Sequence, residues 1–220
     1  MKIAIVGGTG ALGRGLALRW VKAGHSIVIG SRDEARARAC ASEIVTRVAG
    51  SQVEGLDNVR AAIAGELVVL AVPFSEQRAM VEAIRGGLSG KILIDVTVPL
   101  RPPKVGTAQL PPEGSAAQIT QQLVGDSVKV VAAFHNVGAK HLERDGAIEC
   151  DVLVCGNDSA ARTTVLALVK DAGMRGVHAG QLANAAAMEA LTSVLIWINK
   201  NYKVDGAGIR ITGLEGASNG

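Results

Sequence analysis

The chain has 220 residues, 48% apolar and 20% charged, with a formal net charge of +3. That apolar share can build the core of one large α/β domain, or one domain with a small appendage, so the chain need be neither disordered nor disulfide-stapled. Three cysteines with no zinc-type spacing to the four histidines read as reduced core thiols, and 2% aromatics with no adjacent Lys/Arg pair argues against a nucleic-acid partner.

The N-terminus Met1-Lys2-Ile3-Ala4-Ile5-Val6 runs straight into glycines and reads as a first strand rather than a secretory signal, so a cytoplasmic protein is expected. Ser26–Ile29, Leu67–Val72, Lys91–Asp95 and Val128–Ala133 read as further buried strands. Leu12–Ala23, Asp33–Val48 and Ser75–Gly87, the last with Ser75 as N-cap, read as the helices between them. Five of the six prolines fall between Pro99 and Pro112, which makes that stretch an ordered surface loop. It ends at Ser115-Ala116-Ala117-Gln118, a capping box that opens a helix to about Val124.

A strand at Asp151–Cys155, a helix at Ser159–Ala172 and a long helix at Leu182–Tyr202 follow, and Gly208–Thr212 alternates like a terminal strand. Met188, Leu191, Leu195, Ile198 and Tyr202 recur at helical spacing, a core or subunit-contact stripe. The apolar run Ala190–Ile198 is interrupted by Thr192 and Ser193 and closed by Asn199 and Lys200, so no membrane segment is expected. The expected fold is a Rossmann-type α/β doubly wound, mostly parallel sheet. Residues 1–150 form the nucleotide-binding domain and 151–220 a small helical and strand cap.

Gly8-Thr9-Gly10-Ala11-Leu12-Gly13 is a G-x-G-x-x-G that follows a strand and opens a helix, the context in which the glycines are needed. Gly8 suits the sharp turn, Gly10 the approach of a pyrophosphate and Gly13 close helix–strand packing. The helix N-terminus adds free N–H groups and partial positive charge. Residues 1–47 carry eight Lys/Arg against three Asp/Glu, an excess placed where phosphates dock. The second strand ends Ile29-Gly30-Ser31-Arg32, where an NAD site would carry an acid. Gly30 leaves room, Ser31 donates a hydrogen bond and Arg32 offers a fork matched to phosphate, with Arg36 one helical turn on; this is an NADP pocket. Asp33 falls after the strand, where an acid favours the next helix's N-terminus.

The run Gly7 to Ala17 with Gly30-Ser31-Arg32 resembles the NADPH-dependent oxidoreductases of the deazaflavin coenzyme F-420 (F420). Ala71-Val72-Pro73-Phe74, Val98-Pro99, Ser115-Ala116-Ala117, Ala133-Phe134-His135, Val154-Cys155-Gly156 and Glu189-Ala190-Leu191-Thr192 match the family's landmarks in order. The loop from Pro99 to Pro112 departs, being richer in proline. The resemblance implies a small homo-oligomeric enzyme, a homodimer or larger, that passes a hydride between NADPH and C5 of the deazaflavin. It implies that Thr9, Gly10, Ala11, Leu12, Ser31, Arg32 and Arg36 hold adenosine and phosphates, with Val72, Pro73 and Ala139 along the nicotinamide. It also implies a deazaflavin cleft between the loop after Val98, the 135–139 segment and the helix around 182–192. His135 and Asn136, at the C-terminal end of a strand, are the candidates for hydrogen-bonding the deazaflavin ring.

Other oxidoreductase classes fit poorly. A short-chain dehydrogenase needs Tyr-x-x-x-Lys, yet Tyr202 is the sole tyrosine and position 206 is Gly. A β-hydroxyacid dehydrogenase needs a second helical domain, and a ferric reductase a membrane haem domain. An NADP(H)-sensing protein without catalysis, or a reductase of another flavin-like acceptor, stays open as the alternative.

Overall fold

The computed structural model describes residues 1–214. The first half alternates strand and helix: β1 (Lys2–Val6), α1 (Ala11–Lys22), β2 (Ser26–Ser31), α2 (Glu34–Arg47), β3 (Val53–Asp57), α3 (Asn58–Ala64), β4 (Leu67–Leu70), α4 (Phe74–Ile84) and β5 (Ile92–Asp95). After the proline-rich loop come α5 (Ala116–Val124), β6 (Lys129–Ala132), α6 (Ala139–Leu142), β7 (Asp151–Gly156), α7 (Ser159–Asp171), β8 (Arg175–His178) and α8 (Ala185–Tyr202). The strands form one eight-stranded sheet in the order β3-β2-β1-β4-β5-β6-β7-β8. All neighbours are parallel except β6 and β7, which run antiparallel.

Both faces of the sheet are covered, which the period-2 alternation of buried strands requires. In β1, Ile3 and Ile5 pack with Leu16 and Trp20 of α1, Ile44 of α2 and Val165 of α7. Ala4 and Val6 point the other way, into a core with Ala61 of α3, Val81 of α4, Ala117 of α5 and Met188 of α8. The sheet order reverses between β1 and β4, so the C-terminal ends of β2, β1, β4, β5 and β6 share one edge with a crevice at its centre.

Several expected elements change. β3, α3, α6 and β8 carry weak patterns and are additions: β3 is interrupted by Glu54 and Gly55, and β8 is the polar edge Arg175–His178. Helix α4 begins at Phe74, with Pro73 rather than Ser75 in the cap position, because proline's fixed φ suits a helix start. Residues 208–212 are not a strand: Ile209 O accepts from Asp151 N, and Ile211 N donates to the Asp151 carboxylate instead of continuing a ladder. The long C-terminal helix is divided into a short 3-10 turn at Leu182–Asn184 and α8. Leu182–Tyr202 is 21 residues long, and an 18-residue window of it has mean hydropathy 1.3, enough for a membrane span by length and composition, a test that a core helix of a globular protein also passes. Thr192, Ser193 and Asn199 interrupt the apolar run but not the helix; Met188, Glu189, Ser193 and Leu195 are buried, while Val194, Trp197 and Tyr202 face outward.

Candidate functional site

The turn after β1 is built by backbone geometry. The left-handed residue is Gly7, at φ +74°, rather than Gly8; a Cβ on Gly7 would stand 2.6 Å from Ala71 O. A Cβ on Gly13 would stand 2.8 Å from Gly8 Cα, so the first turn of α1 lies directly on the loop that starts it. Gly10 differs, since a Cβ there would meet only Gly7 O, at 3.5 Å. Nothing in the protein itself requires glycine at that position; a ligand resting on the backbone would. Gly10 caps α1 with no side-chain hydrogen bond and no acid follows in the first turn, whereas Asp33, Asp57, Ser115 and Asp158 cap α2, α3, α5 and α7 with their side chains. The amides of Ala11, Leu12 and Gly13 therefore open α1 without a carboxylate competing for them.

A cavity of 340 Å³ lies against this turn, lined by Thr9, Gly10, Ser31, Arg32, Arg36, Asn58, Val72 and Pro73 among others. Seven of the sequence-predicted residues thus meet in one place, with Ala11, Leu12 and Gly13 in the adjoining helical turn. Asp33 also lies at the cavity, but its carboxylate accepts from Ala35 N at 2.9 Å and Arg36 N at 3.3 Å, capping α2. One oxygen of this acid is thereby engaged at the start of α2. Arg32 and Arg36, by contrast, bring two cations and the Ser31 hydroxyl to the β2 end of the cavity. The donor set and the open Gly10 fit a dinucleotide with an additional phosphate.

Asn58 is the residue sequence reasoning missed here. It opens α3, is buried, and its Oδ1 accepts from Gly7 N at 3.1 Å across 51 residues. The space at Gly30 belongs to it: a Cβ on Gly30 would lie 2.8 Å from Asn58 Oδ1. Gly30 therefore makes room for the side chain that braces the turn. The adjacent pair Asp57-Asn58 after a weak strand was the only available signal.

The second group of predicted residues lies at the end of β6, three strand spacings or about 14 Å from β1. Phe134 takes φ +65°, strained for a bulky side chain, with its ring edge-on to Trp20 at 5.8 Å. The chain then turns into His135 and Asn136, both buried. His135 O accepts from Thr192 Oγ1 at 2.8 Å and Asn136 Nδ2 donates to Asp151 O at 2.7 Å, pinning the segment to α8 and β7. Both ring nitrogens of His135 and Oδ1 of Asn136 have no hydrogen-bond partner among the described residues. Burial holds His135 neutral, its pKa pushed down to about 4. A recess of 90 Å³ reaches His135, Asn136, Thr192 and Asn199 on one side and Val137, Leu195 and Ile196 on the other; it is a mixed notch, too small for a three-ring system. Ala139 lines neither this recess nor the larger cavity and begins α6, which packs on α1 at Gly15.

Between the two groups lies a buried polar cluster that the sequence did not announce. Asp95, at the end of β5, accepts from Thr97 N at 2.8 Å, Thr120 Oγ1 at 2.6 Å and Gln77 Nε2 at 3.0 Å, and burial raises its pKa. Glu189 of α8 accepts from Ala116 N at 2.6 Å and Ala117 N at 3.0 Å, closing the start of α5 beside the Ser115 cap. Burial pushes Glu189 up to about 8, against the opposite pull of those two amides.

Known proteins place this arrangement. The family model described as NADP oxidoreductase, coenzyme F420-dependent, matches residues 2–99. The chain is 40% identical to the F420-dependent NADP reductase of Methanocaldococcus jannaschii, over 98% of this chain and all of that protein. It is also 40% identical to the enzyme of the same name from Methanothermobacter thermautotrophicus, over 97% of this chain and 96% of that one. A crystal structure of a putative F420-dependent NADP-reductase from Arthrobacter sp. FB24 superposes with a TM-score of 0.83 at 28% identity, covering 96% of this chain and 99% of that chain. This chain belongs to the family of coenzyme F420-dependent NADP oxidoreductases.

Proposed function

We infer that this protein transfers a hydride between NADPH and the deazaflavin coenzyme F420. The observation that carries the reading is the cavity where an unblocked backbone turn meets Ser31, Arg32 and Arg36, with Asp33 Oδ1 bonded to the start of α2. When both are bound, the nicotinamide and C5 of the deazaflavin exchange the hydride, so the protein's task is placement and exclusion of water. The amides of Ala11, Leu12 and Gly13 hold the bridging phosphates, with Thr9 and Gly10 beside them. Ser31, Arg32 and Arg36 hold the additional phosphate, and Asn58 keeps the turn in register through Gly7 N. Val72 and Pro73 form the wall at the nicotinamide side.

His135 and Asn136 serve the deazaflavin end. A neutral imidazole with no partner on either nitrogen keeps one donor and one acceptor for a ring that lies over the notch, and Asn136 Oδ1 adds an acceptor. Residues 1–150 act as the nucleotide half and 151–220 as the cap that closes the second ligand. The outward face of α8, with Val194, Trp197 and Tyr202, supports a homodimer, and the three free, buried cysteines suit a reducing cytoplasm. Mixing the protein with NADPH and coenzyme F420 under nitrogen tests the reading: bleaching of the deazaflavin visible band supports it. Nucleotide binding without bleaching favours a sensor, and NADH working as well as NADPH overturns the phosphate pocket.

A further inference from the structure

Arg32 is already engaged in the free chain. Its Nη1 lies 3.2 Å from Glu76 Oε2. The two side chains come from opposite walls of the crevice: Arg32 follows β2, while Glu76 lies in the first turn of α4, directly after Val72-Pro73. β2 and β4 flank β1, so their ends are about 10 Å apart and the ion pair bridges the gap between them. Nearby acids are otherwise occupied. Asp33 caps α2, and Glu34 pairs with Arg38 and, at 3.1 Å, with Arg60. Glu76 is thus the carboxylate on Arg32, which is 73% exposed and free to swing.

We propose that Glu76 is a specificity-determining residue: it holds Arg32 across the mouth of the crevice, and the 2′-phosphate of NADPH takes its place on that guanidinium. This rests on the reading of Arg32 as the phosphate ligand. A phosphate and a carboxylate on one guanidinium repel each other, so they exchange rather than share. The exchange runs toward the phosphate, whose doubly charged oxygens match the arginine fork better than an exposed carboxylate whose pairing is worth little. A nucleotide lacking that phosphate brings nothing to replace Glu76 and leaves the pair intact. Glu76 therefore lowers the affinity for NADPH and leaves that for NADH unchanged, so the α4 wall moderates the preference that Arg32 on the β2 wall sets.

Equilibrium titration of the full chain and of Glu76→Gln with NADPH and with NADH, at one ionic strength, tests this. The variant is expected to bind NADPH about three- to fivefold more tightly, the scale of one exposed ion pair, and NADH as before. In an Arg32→Ala background, Glu76→Gln is expected to change nothing further for NADPH. Unchanged or weaker NADPH binding by Glu76→Gln overturns the proposal, and so does equal tightening of both nucleotides, which would make Glu76 a general barrier. A distinct failure is Arg32→Ala retaining full preference for NADPH, which removes the phosphate reading of Arg32 whatever Glu76 does.

Discussion

The β1–β2 end and the β6 end of the same sheet edge bind by different means. At β1–β2 the ligand-facing groups are the backbone amides of a turn whose Gly7 and Gly13 leave no room for a Cβ, braced by Asn58, beside Ser31, Arg32 and Arg36. At β6 they are side chains, with His135 and Asn136 buried and part of their hydrogen-bonding capacity unused. A backbone site is rigid and tolerates no added atom; a side-chain site keeps its fold when a group is replaced and loses only what that group did.

The largest effect that would sharpen this contrast is at Gly10. Gly10→Ala is expected to leave the melting temperature within a few degrees, since its Cβ meets only Gly7 O, yet to weaken NADPH binding about a hundredfold by blocking the approach to the amides. Calorimetric melting with fluorescence titration of NADPH checks both halves, and loss of fold together with binding would break the distinction. Next comes Arg32→Ala, expected to raise the Kd for NADPH about 10- to 100-fold, the loss of charge-assisted bonds, with little change for NADH. Competitive titration of the two nucleotides measures it.

The β6 end is tested through pH. His135 has a pKa near 4 when folded and an ordinary value of 6.5 when unfolded. Between those values the unfolded chain binds the extra proton, so the stability that a neutral His135 contributes is complete above pH 6.5 and is lost as pH falls through 4. Urea unfolding at pH 7 and pH 4.5 is expected to show a loss of about 2 kcal/mol from this residue, absent in His135→Phe. Equal acid sensitivity of both proteins would mean the imidazole is not held neutral by burial. The smallest expected effect is at Asn58→Ala, where the unpaired Gly7 N–H costs about 1–2 kcal/mol and NADPH binding weakens only severalfold. Asn58→Asp, which keeps the acceptor, should restore the stability but not the affinity, because it sets a charge beside the phosphates.

Legibility in the sequence follows the same division. The phosphate turn could be read because its cause is local: a strand, three glycines and a helix start lie within a dozen residues. The Ser115 cap and the withdrawal of Asp33 were readable for the same reason. What stayed hidden depends on partners far along the chain. Asn58 braces Gly7 across 51 residues, and Glu189 meets Ala116 across 73. Glu76 was an ordinary surface acid until α4 placed it opposite Arg32. β3 was lost because Gly55 breaks its pattern, and a Cβ there would lie 2.3 Å from Arg38 N, so packing against α2 demands the residue that obscures the strand. β8 was lost because an edge strand can be polar.

The capture of Asp33 by two amides bears on any attempt to retarget the enzyme to the cheaper nucleotide. A conventional exchange would place an acid at the end of β2, and this chain has one within two residues of Ser31 whose Oδ1 is already bonded to the start of α2. A new carboxylate at position 31 or 32 would therefore have to be introduced with the helix start left untouched. Substituting Asp33 itself would cost the cap of the helix that presents Arg36, about 1 kcal/mol, along with any change in preference.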